Sequence, residues 1–369
     1  MASKESSKGS PAGAPRHPEN HKPVTLKDVA ELAGVSSATV SLVVNKKKNA
    51  RIGPETQLRV LEAINQLGYR ANALAKNLAK GSSRFIGLVA DGVATTPFAG
   101  QIIHGAQDEA WKHGFVLLVA NTEGDGEVEK DAIAMMLEHK VRGILYSTWF
   151  HRPAEVPAAL RETDFVLVNC FSPALDSPAV VPDEVQGGQS ATEVLLRKGH
   201  RRIAFINATT PAPARDGRLQ GYRQALESAG IPFDGGLVFD AYPDQEGGYG
   251  AAERLLSLGV TAVFCYNDRM AMGLYDALIR RGMSVPDDMA VVGFDNQEVI
   301  AAHLRPPLST VGLPHYELGA AGVRLLLGIG TQSEDKVLKI ECPVVERDSA
   351  GPERGSLPAP TPAAGAASA

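Results

Sequence analysis

The stretch that decides the architecture runs from Thr25 to Gly81 and reads TLKDVAELAGVSSATVSLVVNKKKNARIGPETQLRVLEAINQLGYRANALAKNLAKG. Thr25 and Asp28 are spaced as a capping pair, and the apolar residues behind them recur at helical spacing, which predicts a short helix. Gly34 suits a tight turn, and Ser36 is a good N-cap for a second helix, SSATVSLVVN. Two short helices joined by a glycine turn predict a helix-turn-helix.

A third helix is expected to begin at Pro54, which suits a first helical turn, and to end at Gly68. The residues predicted to face the interior of the three helices are Leu26, Val29, Ala30, Ala33, Val40, Val43, Val44, Leu58, Val60, Leu61, Ile64 and Leu67. Periodicity alone leaves two interpretations open, a DNA-binding unit and a three-helix packing module with a polar face.

Charge favours the DNA-binding interpretation. Residues 1–81 contain 13 lysines and arginines against 6 acidic residues, a net charge of +7, whereas the whole chain carries −5 and the remainder therefore −12. A basic segment on an acidic body is typical of nucleic-acid binding. The lysine-rich loop at 46–51 is either a solvated loop or a phosphate contact. Small hydrogen-bonding residues able to approach base edges begin the second helix: Ser36, Ser37, Ala38, Thr39 and Ser41.

The runs TLKDVAELAGVSSATVSLVVN (25–45) and GYRANALAKNLAKGSSRFIGLV (68–89) resemble the lactose-repressor (LacI/GalR) family of bacterial transcription regulators, and the likeness extends to about Ser349. The resemblance implies a ligand-responsive repressor that binds a palindromic operator as a homodimer. It also implies a hinge helix at 72–82 that inserts Leu78 into the minor groove; the alternative for this segment is a plain linker. The DNA-binding positions carried over are Thr25, Ser36, Ser37, Ala38, Thr39, Ser41, Leu42, Asn45, Asn72, Ala75 and Leu78.

Two positions depart from the family pattern. Leu42 stands where many members carry arginine, and Ala38 stands where some carry a larger polar residue. The recognition helix therefore has fewer long donors for guanine edges. More of the specificity is expected from Ser37, Thr39, contacts to thymine methyl groups and the wedge at the central base step.

From Phe85 onward, short apolar strands alternate with amphipathic helices. The predicted strands are FIGLVA, FVLLVAN, GILYS, FVLVN, RIAFIN, LVFDAY, AVFCYN and MAVVGFD. Two such sets predict two doubly wound parallel-sheet subdomains, the α/β core of periplasmic-binding-protein type that the resemblance also implies. The complete expectation is an all-α helix-turn-helix headpiece (23–71), a hinge helix (72–82) and this core (83–349), flanked by disordered tails at 1–22 and 350–369.

A ligand is expected in the cleft between the subdomains, beyond the carboxyl ends of the strands. The polar and aromatic residues near these ends are Phe98, Asn169, Arg218, Tyr242, Asn267 and Asp295. Such a set suits the hydroxyls and the apolar face of a polyol. By resemblance, Arg218, Asn267 and Asp295 match the family's main effector-binding positions, and Phe98 and Tyr242 match its aromatic walls. Carbohydrate is the effector that the resemblance implies, although two aromatic walls also suit a nucleoside or purine.

Each polar residue also has a structural interpretation. Asp295 is placed to cap the turn that follows it, and Asn267 with Asp268 to cap the next helix. Arg218 is close enough in sequence to Asp216 for a surface ion pair. His315 either lines the cleft or faces solvent. The convergence of these residues at strand ends favours the binding site.

Other classes of protein are disfavoured by what the sequence lacks. There is no GxSxG, GxxxxGK[ST], HExxH or GxGxxG after a strand, so an enzyme is not expected, and isolated carboxylates such as Asp183 and Glu184 have no evident catalytic partner. The three cysteines are far apart, which predicts buried reduced thiols and no metal or other cofactor. No membrane-spanning run or signal peptide is present, so we expect a cytoplasmic protein rather than a periplasmic sugar-binding protein. The C-terminal tail lacks leucine heptads, which favours a dimer over a tetramer.

Overall fold

The computed structural model describes residues 24–45, 52–69, 83–96, 99–330 and 336–352. The chain divides between Gly81 and Ser82 into two compact units, a headpiece and a core. The predicted N-terminal tail, residues 353–369 of the predicted C-terminal tail, the lysine-rich loop, Phe98 and the predicted hinge residues Asn72, Ala75 and Leu78 lie outside the described residues. The predicted start of the C-terminal tail at 350 is wrong, because Ala350 is buried and ends a 3₁₀ helix. Within the described residues, no helix combines the length and the apolar content that crossing a bilayer requires.

The headpiece contains the three predicted helices: α1 (Leu26–Ala33), α2 (Ser37–Val44) and α3 (Pro54–Leu67). Thr25 and Asp28 form a reciprocal capping box at α1, and the Ser36 hydroxyl accepts a hydrogen bond from the Thr39 N–H at α2. Gly34 takes the left-handed conformation (φ 66°) that the turn requires. The predicted helix-turn-helix and its caps are therefore confirmed.

The apolar face predicted for α3 is partly wrong. Leu58 and Leu61 are 58% and 49% exposed, while the inward stripe of α3 contains Val60, Ala63, Ile64 and Leu67. These four residues recur every three or four positions, and Leu58 and Leu61 fall outside this stripe. On α2, Val40 is fully buried, but Val43 and Val44 are only half-buried. The headpiece core is completed by Val29, Ala30 and Ala33 of α1.

The described part of the core contains two six-stranded sheets, as the alternating pattern predicts. The first has the order β11-β5-β4-β3-β1-β2, all parallel. Its strands are β1 (Phe85–Ala90), β2 (Val116–Asn121), β3 (Ile144–Pro153), β4 (Phe165–Phe171), β5 (Ala179–Pro182) and β11 (Val337–Ile340). The second has the order β12-β10-β9-β8-β6-β7, in which only β12 is antiparallel. Its strands are β6 (Ile203–Ala208), β7 (Val238–Ala241), β8 (Ala262–Cys265), β9 (Ala290–Asp295), β10 (Ser309–Gly312) and β12 (Val344–Val345).

Helices cover both sheets. Those that follow strands of the first sheet, or return to it, are α4 (Gly100–Lys112), α5 (Gly126–Glu138) and α11 (His315–Leu326). Those associated with the second sheet are α6 (Glu184–Arg197), α7 (Pro213–Ser228), α8 (Gln245–Ser257), α9 (Asp268–Ile279) and α10 (Glu298–Ala301). Short 3₁₀ helices span Ala158–Glu162, Gly235–Leu237 and Asp348–Ala350. The chain crosses between the two sheets after β5, after β10 and after β11.

Helices α6 and α7 pack unusually closely because both present glycine at their contact. A Cβ added to Gly188 would lie 2.4 Å from the backbone oxygen of Arg218, and one added to Gly221 would lie 2.1 Å from that of Val185. Gly188 therefore serves the packing of α6 against α7, whereas a Cβ added to Gly187 would lie 2.7 Å from the Phe294 ring. This close approach brings Arg218 of α7 beside Glu184, the first residue of α6.

The three cysteines, Cys170, Cys265 and Cys342, are buried and free, as predicted. Burial raises the pKa of the Cys170 thiol to about 12, and it raises the pKa of the other two as well. Such thiols are unreactive at neutral pH.

Candidate functional site

A cavity of about 290 Å³ lies between the two sheets, beyond the carboxyl ends of their strands. Five of the six residues that the sequence nominates for effector binding line it: Asn169, Arg218, Tyr242, Asn267 and Asp295. The sixth, Phe98, lies outside the described residues. The cavity is therefore where the sequence expects a ligand.

Arg218 is the buried cation of this cavity, with only 3% of its surface exposed. Its Nε donates to Oε2 of Glu184 at 2.9 Å, and its Nη1 donates to the backbone oxygen of Tyr266 at 2.5 Å. Nη1 also lies 3.7 Å from Oδ1 of Asp295. The alternative of a surface pair with Asp216 is wrong, because that carboxylate accepts from Arg215.

Two aromatic rings pack against the Arg218 guanidinium. Its Cζ lies 3.6 Å from the centroid of the Phe294 ring and 4.4 Å from that of the Tyr266 ring. Burial opposes the charge of Arg218, but the acidic groups around it and the Tyr266 hydroxyl outweigh burial and raise its pKa. The cation is fixed in position and remains charged.

Glu184 was considered isolated from the sequence, and that interpretation is wrong. It is 5% exposed, and its Oε1 lies 3.3 Å from Nδ1 of His151 while its Oε2 accepts from Arg218. Burial alone would raise the pKa of Glu184, but Arg218 and His151 outweigh it and lower the pKa. Because His151 belongs to β3 of the first sheet and Arg218 to α7, Glu184 links the two subdomains.

Asp295 ends β9 with a left-handed backbone (φ 100°), and its Oδ2 accepts from Nε2 of Gln297 at 3.0 Å. Burial raises its pKa to about 6, although the Arg218 charge opposes the shift. The backbone N–H of Gln297 donates to Asp268, so the capping role proposed for Asp295 is filled by Asp268. Burial also raises the pKa of Asp268, whose other oxygen accepts from the Thr310 hydroxyl at 2.7 Å.

Asn267 and Asn169 line the cavity with amides that are already engaged. Asn267 is the N-cap of α9, where its Oδ1 accepts from the Met270 N–H at 2.9 Å, as its structural interpretation predicts. Its Nδ2 donates to the backbone oxygen of Pro243 at 3.0 Å. The Nδ2 of Asn169 donates to the backbone oxygen of Thr148 at 3.0 Å. Each amide keeps further donor and acceptor capacity for a ligand.

Aromatic side chains form another part of the cavity wall. Tyr242 is 66% exposed at its mouth, and Trp149 packs against Phe150 with ring centroids 4.7 Å apart. Sequence reasoning missed this pair because it ended the strand at Ser147, whereas β3 continues to Pro153 through an irregular register. The signal was present in the run TWFH, which directly continues GILYS.

His315 is buried and lines the cavity, which resolves the choice between cleft and solvent. Burial lowers its pKa to about 4, so the ring is neutral at pH 7. An adjoining hollow of about 1010 Å³ shares His315, Arg269, Asp295, Gln297 and Leu313 with the cavity. Among the described residues, no group of three or more His, Cys, Asp or Glu side chains could hold a metal ion.

On the headpiece, Ser37 and Ala38 are exposed in the first turn of α2, the helix that the helix-turn-helix pattern assigns to DNA. The Ser36 and Thr39 hydroxyls lie 2.9 Å apart and are hydrogen-bonded to each other. Asn45 ends the helix, and its Nδ2 donates to the backbone oxygen of Ser41 at 2.8 Å. Leu42 is half-buried, and Thr25 is occupied by the capping box of α1.

Comparison with known families agrees with both units. Residues 25–72 match the model described as bacterial regulatory proteins, lacI family, and residues 83–348 match periplasmic binding proteins and sugar binding domain of LacI family. The chain belongs to the LacI family. It is a LacI-family transcription regulator with a DNA-binding headpiece and an effector-binding core.

Two curated relatives are repressors of similar length. The chain is 34% identical to the ribose operon repressor of Escherichia coli K12 over 332 residues, covering 88% of this chain and 99% of the relative. It is 32% identical to the transcriptional repressor PurR of Vibrio cholerae over 331 residues, covering 88% and 97%. These relatives are transcription repressors and not enzymes, so the enzyme alternative is rejected.

Two solved structures are also similar. The lac repressor dimer bound to operator and the anti-inducer ONPF matches with a TM-score of 0.71 at 27% identity, covering 90% of this chain and all of that one. The transcriptional regulator CelR in complex with cellobiose matches with a TM-score of 0.60 at 30% identity, covering 88% and 99%. The LacI-family architecture therefore extends through the headpiece and the core.

Proposed function

We propose that this LacI-family regulator is a cytoplasmic, homodimeric repressor that binds a palindromic operator and whose DNA affinity is set by a sugar in the cavity between the subdomains. The observation that carries this proposal is the convergence of Arg218, Asp295 and Asn267 with aromatic walls in one cavity, in a chain that also contains a helix-turn-helix. The units are a headpiece at 23–71, a hinge at 72–82 and an effector core at 83–349.

The DNA interface of the proposal consists of α2 and the hinge. Exposed Ser37 and Ala38 are small enough to approach base edges, and Thr39 and the neighbouring small residues follow along the same helix. Leu78 is assigned to the minor groove at the operator centre, where an apolar wedge favours a kinked duplex. Two headpieces bound to two half-sites account for a palindromic operator.

Exposed apolar side chains at one edge of the first sheet support dimerisation. β2 ends that sheet, and Val116 and Val119 on it are exposed. Trp111 of α4 and both Val128 and Met135 of α5 are exposed as well. An uncovered edge strand with apolar side chains is typical of an interface rather than of a solvated surface. The lac repressor that this chain resembles was solved as a dimer.

A sugar is the proposed effector because the cavity combines charged hydrogen-bonding groups with aromatic faces. Asp295 accepts from hydroxyl groups, the amides donate and accept, and Trp149 and Tyr242 cover apolar C–H faces. CelR was solved with cellobiose, and another relative is named for the ribose operon. The effector changes DNA affinity only if it binds the two subdomain arrangements with different affinity, and either sign of coupling satisfies this condition.

The test is a selection of fragments of the host's genomic DNA by the full-length protein, with and without a pool of sugars and nucleosides. We expect enrichment of a short palindrome whose recovery changes with the sugars. Sizing the protein by light scattering, alone and with the enriched DNA, checks the dimer. Folded dimeric protein that enriches no fragment under either condition would contradict the proposal.

A further inference from the structure

The cavity contains a buried cation whose capacity to bind anions is already used. A guanidinium binds a phosphate or carboxylate best through two parallel N–H groups on one edge. In Arg218, the edge containing Nε is occupied by Glu184 at 2.9 Å, and the edge containing Nη1 is occupied by the Tyr266 carbonyl at 2.5 Å. The rings of Phe294 and Tyr266 also pack against the guanidinium. One donor on each edge is therefore already engaged, which weakens both edges as bidentate sites for an anion.

The balance of buried charge also opposes an anion. Among the described residues that line the cavity, the groups that are charged at pH 7 and little exposed include the buried Arg218 and Glu184 and the side chain of Asp295, which is 11% exposed. His315 is neutral there because burial lowers its pKa to about 4. An anionic ligand would therefore enter a low-dielectric site without a compensating positive charge.

Arg269 does not change this conclusion. It lines the cavity but is exposed, and its Nε donates to Oε1 of Gln297 at 3.4 Å. A cation in contact with water is screened and contributes little to holding an anion in a buried site.

We propose that Glu184 sets the charge specificity of the cleft: by occupying Arg218 it excludes phosphorylated and carboxylated ligands and restricts the effector to uncharged polyhydroxylated molecules. This inference rests on the proposed function only in that the cleft is the effector site. Removal of the Glu184 charge leaves Arg218 with Asp295 as its one nearby carboxylate, at 3.7 Å, so the set is no longer net negative and the carboxylate that engages Nε of Arg218 is gone.

Trp149 provides a local reporter for the test. The chain has two tryptophans, and a Trp111→Phe background leaves Trp149, which lines the cavity, as the sole one. Full-length protein in this background is titrated with inorganic phosphate, ribose 5-phosphate and ribose, with potassium chloride at matched ionic strength as the reference. The variants are Glu184→Gln, which removes the charge, and Glu184→Asp, which keeps it. Glu253→Gln on exposed α8 is the matched control.

We expect Glu184→Gln to bind inorganic phosphate and ribose 5-phosphate at least about tenfold more tightly than the parent protein, because the negative charge next to Arg218 that repels an anion is then removed. Glu184→Asp and Glu253→Gln should reject both anions as the parent does. The proposal is overturned if the parent binds either anion as tightly as Glu184→Gln does. If Glu184→Gln does not fold, the comparison between parent and Glu184→Asp still decides, since anion binding by the parent contradicts the proposal.

The titrations with neutral sugars distinguish the role proposed for Glu184 from the broader proposal that a sugar is the effector. If the parent rejects anions and Glu184→Gln binds them, the role of Glu184 is supported. This conclusion does not depend on whether ribose or other neutral sugars bind. Absence of any response to a full panel of neutral sugars would instead contradict the sugar-effector proposal.

Discussion

At the scale of single residues, the pair formed by Arg218 and Glu184 dominates the cleft. Both side chains are nearly inaccessible to water, so each depends on the other for compensation of its charge. Neither residue adjoins the other in sequence, since 34 positions separate them. The resemblance therefore places Arg218 in the cleft, but nothing in the sequence indicates that Glu184 is its partner. The nearest acidic residue in the sequence, Asp216, suggested a surface ion pair instead.

Arg218→Ala should lower the free energy of unfolding by about 3–5 kcal/mol, because it leaves the Glu184 carboxylate buried without its cation. Urea denaturation followed by circular dichroism measures this loss. Arg223→Ala on the same helix is the control: its ion pair with Glu227 is exposed, and such pairs contribute about 0–1 kcal/mol. Equal losses in the two variants would show that the buried pair contributes no special stability.

Asp295 should make effector affinity depend on pH. Its pKa is raised to about 6, so below that pH the free protein carries a protonated carboxyl that must lose its proton to accept two hydroxyl hydrogen bonds. Affinity should therefore fall as pH decreases from about 8 to about 5, with a limit of about tenfold per pH unit. Calorimetric titrations across this range measure the effect, and Asp295→Asn should flatten the profile.

Unfolding does not explain that loss of affinity. A carboxyl whose folded pKa is raised contributes stability at low pH and loses it as pH rises through about 6, so acidification through this window favours the fold. The lowered pKa of Glu184 means that its own stabilising charge is lost only below its ordinary range. An affinity that stays constant between about pH 8 and about pH 5 would remove Asp295 from ligand binding.

At the scale of secondary-structure elements, the strong periodic segments were predictable and the short connecting ones were not. The headpiece helices and eight of the strands follow directly from caps and apolar runs. The strands β5, β10, β11 and β12 were missed because they lie next to the crossovers between the sheets, outside the regular alternation of strand and helix that identified the others. Leu58 and Leu61 were wrongly placed inside, since composition alone does not show which stripe of α3 faces its neighbours.

The close contact of α6 and α7 predicts that replacing a glycine at the contact with alanine destabilises the core. Gly188→Ala should destabilise the core by at least about 1–3 kcal/mol, because its Cβ would meet the Arg218 backbone and must push the two helices apart. Gly250→Ala in α8 is the control: its Cβ meets no atom within 4 Å, and alanine favours a helix by up to about 1 kcal/mol. Thermal unfolding measures both, and a neutral Gly188→Ala would disprove the tight packing.

At the scale of the whole molecule, the proposal requires that effector binding by the core and DNA binding by the headpiece are energetically coupled. The family fixes the kinds of unit, and the cleft residues identify where an effector would act. The sequence could identify these units because each has its own motif, whereas the sign of the coupling depends on which subdomain arrangement the effector prefers. No motif encodes that preference.

Leu78 tests the hinge. Leu78→Ala should weaken operator binding by roughly tenfold or more, because it removes the apolar wedge that favours a kinked operator. Effector affinity and thermal stability of the core should not change. Fluorescence anisotropy of labelled operator and calorimetry with effector measure the two properties, and unchanged operator affinity would reject the hinge assignment.

The decisive measurement is the coupling between the two ligands, taken in both directions on the same protein. Operator affinity is measured with and without saturating effector, and effector affinity with and without saturating operator. We predict that effector changes operator affinity by the same factor as operator changes effector affinity, and that this factor is about 5- to 150-fold. In Asp295→Ala the factor should be one, and the operator affinity without effector should equal that of the native protein. A native factor of one, or an Asp295→Ala variant that responds as the native protein does, would contradict control of DNA binding from the cleft.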